Sequence, residues 1–271
     1  MMVAFLVAAG ARFGARAYAP ARRAAHGGAP WATVLELELD VGRCVGVRLP
    51  PWGLEPAAAP VPGCALAAEL DPAELAYPLA GAFSGAAAAD FYGGRLALRR
   101  ALGAAAAAAP ILKSAGGAPD LPRGVLGSIS HKRPLAVAVA RPRTGGDVAA
   151  AVGVDVERAA EPSVGGERLA RRVLAAGDRA AYDALSGAVD DGARAALFFS
   201  LKEAVYKAVA ADAPRARFRD VALAPGADGS CAVAAADGLL PAGASVDAAW
   251  RLVEHDGAPY FLSTASYRRG R

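Results

Sequence analysis

The chain has 271 residues, 30 basic against 26 acidic, a formal net charge of +4 and an isoelectric point near 9.1. The whole surplus lies in residues 1–30, which hold Arg12, Arg16, Arg22 and Arg23 and no acid, so the remainder is balanced and offers no footprint for nucleic acid. At 55% apolar and 21% charged the chain buries a sizeable core, and its longest uncharged apolar stretches, residues 1–11 and 101–112, fall short of the ~20 residues that cross a bilayer.

Residues 1–30 read either as a transit peptide or as alanine-rich composition bias, which sets a plastid or mitochondrion against the cytoplasm. Cys44, Cys64 and Cys231 are odd in number and include no CxxC pair, so neither a disulfide framework nor a zinc site is indicated, and a reducing compartment fits. From Trp31 apolar and acidic residues alternate over 34–40, and with 44–49 they predict a strand, a turn and a second strand. Asp71-Pro72-Ala73-Glu74 is a helix start, with Asp71 as N-cap, Pro72 at the first helical position and Glu74 closing a capping box.

A second helix is predicted from about residue 86 to 102, ending at Gly103, and the glycine- and proline-rich stretch 116–127 reads as loop. The small-residue runs 135–140 and 149–157, separated by turn residues, read as two antiparallel strands. Helical spacing returns over 167–185 and 193–211, and four strands follow at 221–223, 231–235, 248–253 and 259–266. The order strand, helix, strand occurs twice, with the change near Gly145-Gly146, as a duplicated α+β unit would have it.

Three clusters stand out as chemistry. Asp155 and Glu157 alternate with Val154 and Val156 at a strand end, so both carboxylates leave one face, roughly 6–7 Å apart. Like charges so close repel, and a hard divalent cation relieves them; the plain alternative is a solvated strand end beside Arg158. In the second cluster, Phe198 to Ala208, Glu203 and Lys207 are spaced i and i+4, which suits a weak surface pair, and Ser200 with Glu203 also fits a capping box. In the third, Gly127-Ser128-Ile129-Ser130-His131-Lys132 follows a glycine-and-proline loop, a combination of small residues, hydroxyls, imidazole and ammonium that suits a nucleotide phosphate.

In this order, Gly127-Ser128-Ile129-Ser130-His131, Gly153-Val154-Asp155-Val156-Glu157 and the run Phe199-Ser200-Leu201-Lys202-Glu203-Ala204-Val205-Tyr206-Lys207-Ala208 resemble the signature of the 4'-phosphopantetheinyl transferases. Residues 119–131 are most similar to the enterobactin-synthetase component D branch of the monomeric, two-lobed class. Asp90-Phe91-Tyr92-Gly93-Gly94-Arg95-Leu96-Ala97 is similar to the family's Glu-Phe-x-Ala-Gly-Arg-x-Ala helix. The resemblance implies an α+β fold of two similar lobes related by a pseudo-twofold, each a small antiparallel sheet packed with helices. Residues 31–146 would form one lobe and 147–271 the other, with a metal site at their interface.

The resemblance further implies transfer of the 4'-phosphopantetheine group of coenzyme A to a serine of an acyl or peptidyl carrier protein, with release of 3',5'-ADP, by a monomer. Mg²⁺ would be held by Asp155, Glu157 and Glu203, and Lys207 would hold a phosphate oxygen. Arg95, Ser130 and His131 would meet the 3'-phosphoadenosine end, with Lys132 and Lys113 as weaker candidates. Glu203 would take the serine proton, directly or through a metal-bound water. The arginines Arg168, Arg171, Arg172 and Arg179 would offer a basic stripe to an acidic carrier, although an ordinary solvated helix face has the same composition.

Two departures stand beside these expectations. No basic residue precedes Phe91 at 86–90, and Gly117 stands where relatives have a basic residue, leaving Arg123 or Lys113 as substitutes. A non-catalytic module that binds coenzyme A or a carrier protein is therefore one rival. A hydrolase with Ser130 or Ser128 as nucleophile is another, although no Gly-x-Ser-x-Gly elbow occurs.

Overall fold

The computed structural model describes residues 29–50, 65–103, 109–143, 149–159 and 166–270. The leader expected at 1–30, apart from its last two residues, lies outside these, as do Cys64 and the lobe junction near Gly145-Gly146.

The first hairpin forms as the alternation predicts: β1 (Thr33–Leu39) pairs antiparallel with β2 (Gly42–Arg48). Two short helices follow, α1 (Ala65–Glu69) and α2 (Pro72–Ala80), then the long α3 (Gly85–Leu102), capped by Ser84. The capping box of α2 is present: the Asp71 side chain accepts from Ala73 N, and Glu74 Oε2 accepts from Asp71 N, both at 2.8 Å. Glu74 does more than cap. It is fully buried, accepts from Arg99 Nε and from Ile111 N at 2.7 Å each, and so clasps α2, α3 and the segment after α3 together.

β3 (Val125–Lys132) and β4 (Leu135–Pro142) complete a four-stranded antiparallel sheet in the order β1-β2-β4-β3, on which α3 packs through Leu96 and Leu98. The loop expected over 116–127 ends earlier, because residues 125–127 already pair with β4. The second sheet begins with β5 (Ala149–Arg158). After α4 (Gly166–Val173), α5 (Arg179–Ala184) and α6 (Asp191–Val209) come β6 (Val221–Pro225), β7 (Ser230–Ala235), β8 (Ser245–His255) and β9 (Ala258–Arg268), in the sheet order β5-β9-β8-β7-β6.

Three expectations change here. The runs at 135–140 and 149–157 are both strands but not partners: β4 lies between β2 and β3, while β5 pairs with β9, over one hundred residues later. The helix expected over 167–185 is broken into α4 and α5, because Asp178 turns its side chain back to accept from Ala175 N and ends the run. Ser200 caps nothing; α6 starts nine residues before it, and Ser200 is buried inside the helix.

The architecture is α+β, two antiparallel sheets each covered by a long helix, alike in plan but with four strands in one and five in the other. An apolar seam joins the sheets, with Leu35, Val137 and Val139 from the first meeting Val154, Val156 and Leu262 from the second. Arg48 also forms an ion pair with Asp256 across the lobes. Along the seam β3 runs beside β5: Val154 N donates to Ser128 Oγ at 3.1 Å, and Ser130 Oγ donates to Asp155 Oδ1 at 2.7 Å.

Strand alternation then sets the site. Val154 and Val156 enter the seam with no exposed surface, so Asp155 and Glu157 face the opposite side, toward α6. α6 comes unusually close to β5, because a Cβ on Gly153 would overlap the Ala204 carbonyl oxygen. That approach brings the helical turn carrying Glu203 and Lys207 against Asp155.

Candidate functional site

A cleft of about 710 Å³ opens between α3 and β3 on one side and β5 and α6 on the other. Arg95, Ser130, His131, Asp155, Glu157, Glu203 and Lys207 all line it, together with Lys113 and the 116–119 loop. Residues widely separated in the chain thus meet in one place. Lys132 stands at the end of β3 and reaches in from beside the cleft, its Nζ 2.9 Å from Glu157 Oε2.

At the acidic end, Asp155 is almost entirely buried. Its Oδ1 accepts from Ser130 Oγ and from Lys207 Nζ at 2.7 and 2.8 Å, while its Oδ2 is buried with no hydrogen-bond partner. Lys207 also donates to the Val154 carbonyl at 3.0 Å. The pairing of Glu203 with Lys207 that the i, i+4 spacing offers is therefore not made; the lysine turns to the strand. Burial in the cleft wall pushes the Glu203 carboxyl above the ordinary range, Lys207 opposes this, and nearby Asp155 adds to it.

The three acids share the cleft but stand apart, and among the described residues no three acidic, histidine or cysteine side chains are grouped closely enough to hold an ion. Two of them are matched to lysines, Asp155 with Lys207 and Glu157 with Lys132. The donor set nonetheless fits a hard cation. Asp155 Oδ2 is an unanswered buried anionic oxygen, and Glu203 is close enough to Asp155 to feel its charge.

At the basic end, Arg95 is committed in part to structure. Its Nε donates to the Ile111 carbonyl at 2.5 Å and its Nη2 to that of Leu112 at 2.9 Å, while its guanidinium lies 4.4 Å from the Phe91 ring. Burial lowers its pKa to about 10, against the opposing charge of Glu74. Arg95 thus fastens the segment leading into the 116–119 wall and lines the cleft with what remains of its donors. His131 is half exposed, with Nδ1 3.8 Å from Asp90 Oδ2.

Of the two residues offered as substitutes near Gly117, Lys113 lines the cleft and Arg123 does not. The α3 start, which lacks a basic residue of its own, receives one from the β3–β4 turn: Arg133 donates to the Ala86 carbonyl and pairs with Asp90 at 3.0 Å. Sequence reading passed over Arg133, although it directly follows His131 and Lys132. Among the described residues no serine hydroxyl is bonded to a histidine; Ser130 serves Asp155 and Ser128 serves the β5 backbone, so the hydrolase arrangement is not made.

A second groove, of about 510 Å³, lies on the far side of Glu203 and Tyr206 and shares both with the cleft. Phe218 and Ala216 give it an apolar floor, and Arg172, Arg217 and Arg219 stand on its rim. Arg168 and Arg171 are exposed nearby on α4, and Arg219 donates to the Arg171 carbonyl. Arg179, the fourth member of the expected stripe, is engaged with Asp183 at 3.1 Å.

Comparison with known proteins gives the family. Residues 85–141 match the family model of the 4'-phosphopantetheinyl transferase N-terminal domain, and residues 151–265 match that of the 4'-phosphopantetheinyl transferase superfamily. The two matches together span well over half of the chain, which belongs to the 4'-phosphopantetheinyl transferase superfamily. Among solved structures, a holo-(acyl-carrier-protein) synthase from Bacillus anthracis str. Ames, crystallised in complex with CoA (3',5'-ADP), is similar over 45% of this chain and 97% of its own, at 16% identity and a TM-score of 0.34. That likeness is too slight to bear on activity. No curated protein matches the chain.

Proposed function

We propose that the chain transfers the 4'-phosphopantetheine group of coenzyme A to a serine of an acyl or peptidyl carrier protein, and that it does so as a monomer of two lobes, 31–146 and 147–271. The observation that carries this reading is the cleft itself. It is acidic at one end, at Asp155, Glu157 and Glu203, and basic at the other, at Arg95, Lys113 and His131, within one space between the two sheets.

In the transfer the serine oxygen forms a bond to the β-phosphorus of coenzyme A, and the bond from that phosphorus to the bridging oxygen breaks, so that 3',5'-ADP leaves with the oxygen. The serine proton passes to Glu203. Burial, by raising that carboxyl, makes it a better base than an ordinary glutamate. Lys207 stands beside Asp155, where it holds a phosphate oxygen and offsets charge on the pyrophosphate. Lys113, His131 and the free donors of Arg95 receive the 3'-phosphoadenosine end, with Lys132, once released from Glu157, as a weaker candidate.

A magnesium ion, which the family resemblance implies, would be held by Asp155 and Glu203, joined by Glu157 on release from Lys132, and when bound would neutralise phosphate charge. The carrier enters through the arginine-rimmed groove, since Glu203 and Tyr206 form the wall between groove and cleft and a serine presented there arrives beside the base. The sequence of residues 119–131 supports placement in the enterobactin-synthetase component D branch, and the cysteine usage supports work in the cytoplasm.

The experiment is to incubate the protein with coenzyme A, Mg²⁺ and an apo-acyl or apo-peptidyl carrier protein and to weigh the carrier by intact mass spectrometry. Gain of one phosphopantetheinyl group supports the reading. Carrier binding without any gain would instead support a non-catalytic binding module.

A further inference from the structure

Lys202 precedes Glu203 and has no part in the chemistry above, yet it is among the most deeply buried side chains of the molecule, 1% exposed, and its partner Asp178 is fully buried. The ammonium has three protons and three acceptors: Asp178 Oδ2 at 2.5 Å, the Phe218 carbonyl at 2.7 Å and the Val221 carbonyl at 2.8 Å. Asp178 is equally engaged, accepting from Ala175 N at 2.5 Å and from Leu223 N at 2.6 Å. One ion pair therefore ties together four segments: the α4–α5 turn, α6, the 217–220 turn and β6.

Stability alone does not account for such a pair. Taking two charges out of water costs as much as their attraction returns, and apolar side chains of like volume hold a core as well or better. What the pair supplies is a fixed geometry, and its position shows which geometry. Neighbouring residues on a helix point about 100° apart, so Lys202 faces inward while Glu203 faces the cleft and groove. The Phe218 carbonyl that Lys202 holds belongs to the turn that floors and rims the groove. The Phe218 ring in turn packs edge-on against Phe199, which lines the cleft, with 5.6 Å between centroids.

We propose that Lys202 is a positioning residue: with Asp178 it locks the Phe218–Asp220 turn to the part of α6 that bears Glu203, and so sets where the carrier serine meets the cleft. This rests on the reading of the groove as the carrier's entrance. It assigns a role in the second substrate's approach to a motif lysine that touches neither substrate.

The test compares the full-length wild type with Lys202→Met and Lys202→Met/Asp178→Asn, measuring melting temperature, KM for coenzyme A and KM for an apo-carrier protein. The expected result is a carrier KM raised roughly tenfold or more, with the coenzyme A KM held within about twofold. In the double variant, which leaves no unpaired buried charge, the melting temperature should recover toward wild type while the carrier KM stays high. Recovery of the carrier KM along with the melting temperature, or equal losses for both substrates, would overturn the proposal. Should Lys202→Met fail to fold, Phe218→Ala removes part of the groove floor and keeps the lysine, and the same split between the two substrates is expected; no split would again overturn it. A wild type that modifies no carrier would instead refute the transfer reading on which the proposal rests.

Discussion

Lys207 Nζ lies 2.8 Å from Asp155 Oδ1 and is turned away from the pairing with Glu203 that helical spacing offers it. Among the described residues Glu203 is thereby left without a hydrogen-bonded cation, and an ammonium stands next to a carboxylate, Asp155, whose other oxygen is buried and unanswered. If Lys207 offsets charge on the transferring phosphate, Lys207→Met should lower kcat by about 10²-fold, the cost of removing one donor aimed at developing charge. A stopped assay that weighs carrier over time measures this, and a rate within a few-fold of wild type would take Lys207 out of the site.

Glu203 makes a prediction about stability. Its carboxyl is raised by burial above the ordinary value of 4.5, with Asp155 reinforcing the shift. The folded state therefore holds this proton at pH values where the unfolded chain has lost it. Its contribution is complete below the ordinary value and is lost as pH rises through the raised one. In metal-free buffer at neutral pH, Glu203→Gln should melt a few degrees higher than wild type while losing transfer. A lower melting temperature would mean that the carboxylate is well accommodated and the cleft is less strained than its geometry indicates.

Gly153 sets the distance between β5 and α6. In Gly153→Ala the added methyl group meets the Ala204 carbonyl and must push the helix from the strand, an overpacking that costs about 1–3 kcal/mol. Asp155 and the Glu203–Lys207 turn would separate with it. Both the denaturation midpoint and the transfer rate should fall. An alanine variant of wild-type stability would show that the close approach is not needed.

The parts of the molecule that were legible in the sequence are those fixed by neighbours. The Asp71–Glu74 capping box could be read because all its partners lie within four residues, and the acids of β5 because strand alternation alone decides that Asp155 and Glu157 share a face. What could not be read is set by distant partners. Nothing local in 135–140 or 149–157 states that one pairs with β2 and β3 and the other with β9. Ser200 and Glu203 carry a capping signature in the middle of a helix, where tertiary burial overrides it. Arg217, Arg219 and Phe218 carry no motif at all; they line one groove with Glu203 through contacts distant in sequence, among them the bond from Lys202 to the Phe218 carbonyl and the packing of Phe218 on Phe199.

The groove should respond to salt. Replacing Arg172, Arg217 and Arg219 by glutamine should slow modification of an acidic carrier several-fold at low ionic strength, and less at high, since screening weakens the same attraction in the wild type. The coenzyme A KM should stay unchanged. Equal losses at both salt concentrations would place the carrier elsewhere.

The central claim is that Asp155 and Glu203, brought together from β5 and α6, serve one transfer. The measurement that tests it most directly is intact mass spectrometry of an apo-carrier protein incubated with coenzyme A and Mg²⁺, using wild type, Asp155→Ala and Glu203→Gln, with an EDTA control. The account predicts one phosphopantetheinyl group added by the wild type and none by either variant or in EDTA. A variant that modifies the carrier at the wild-type rate, or a wild type that modifies none of several carriers, would contradict it.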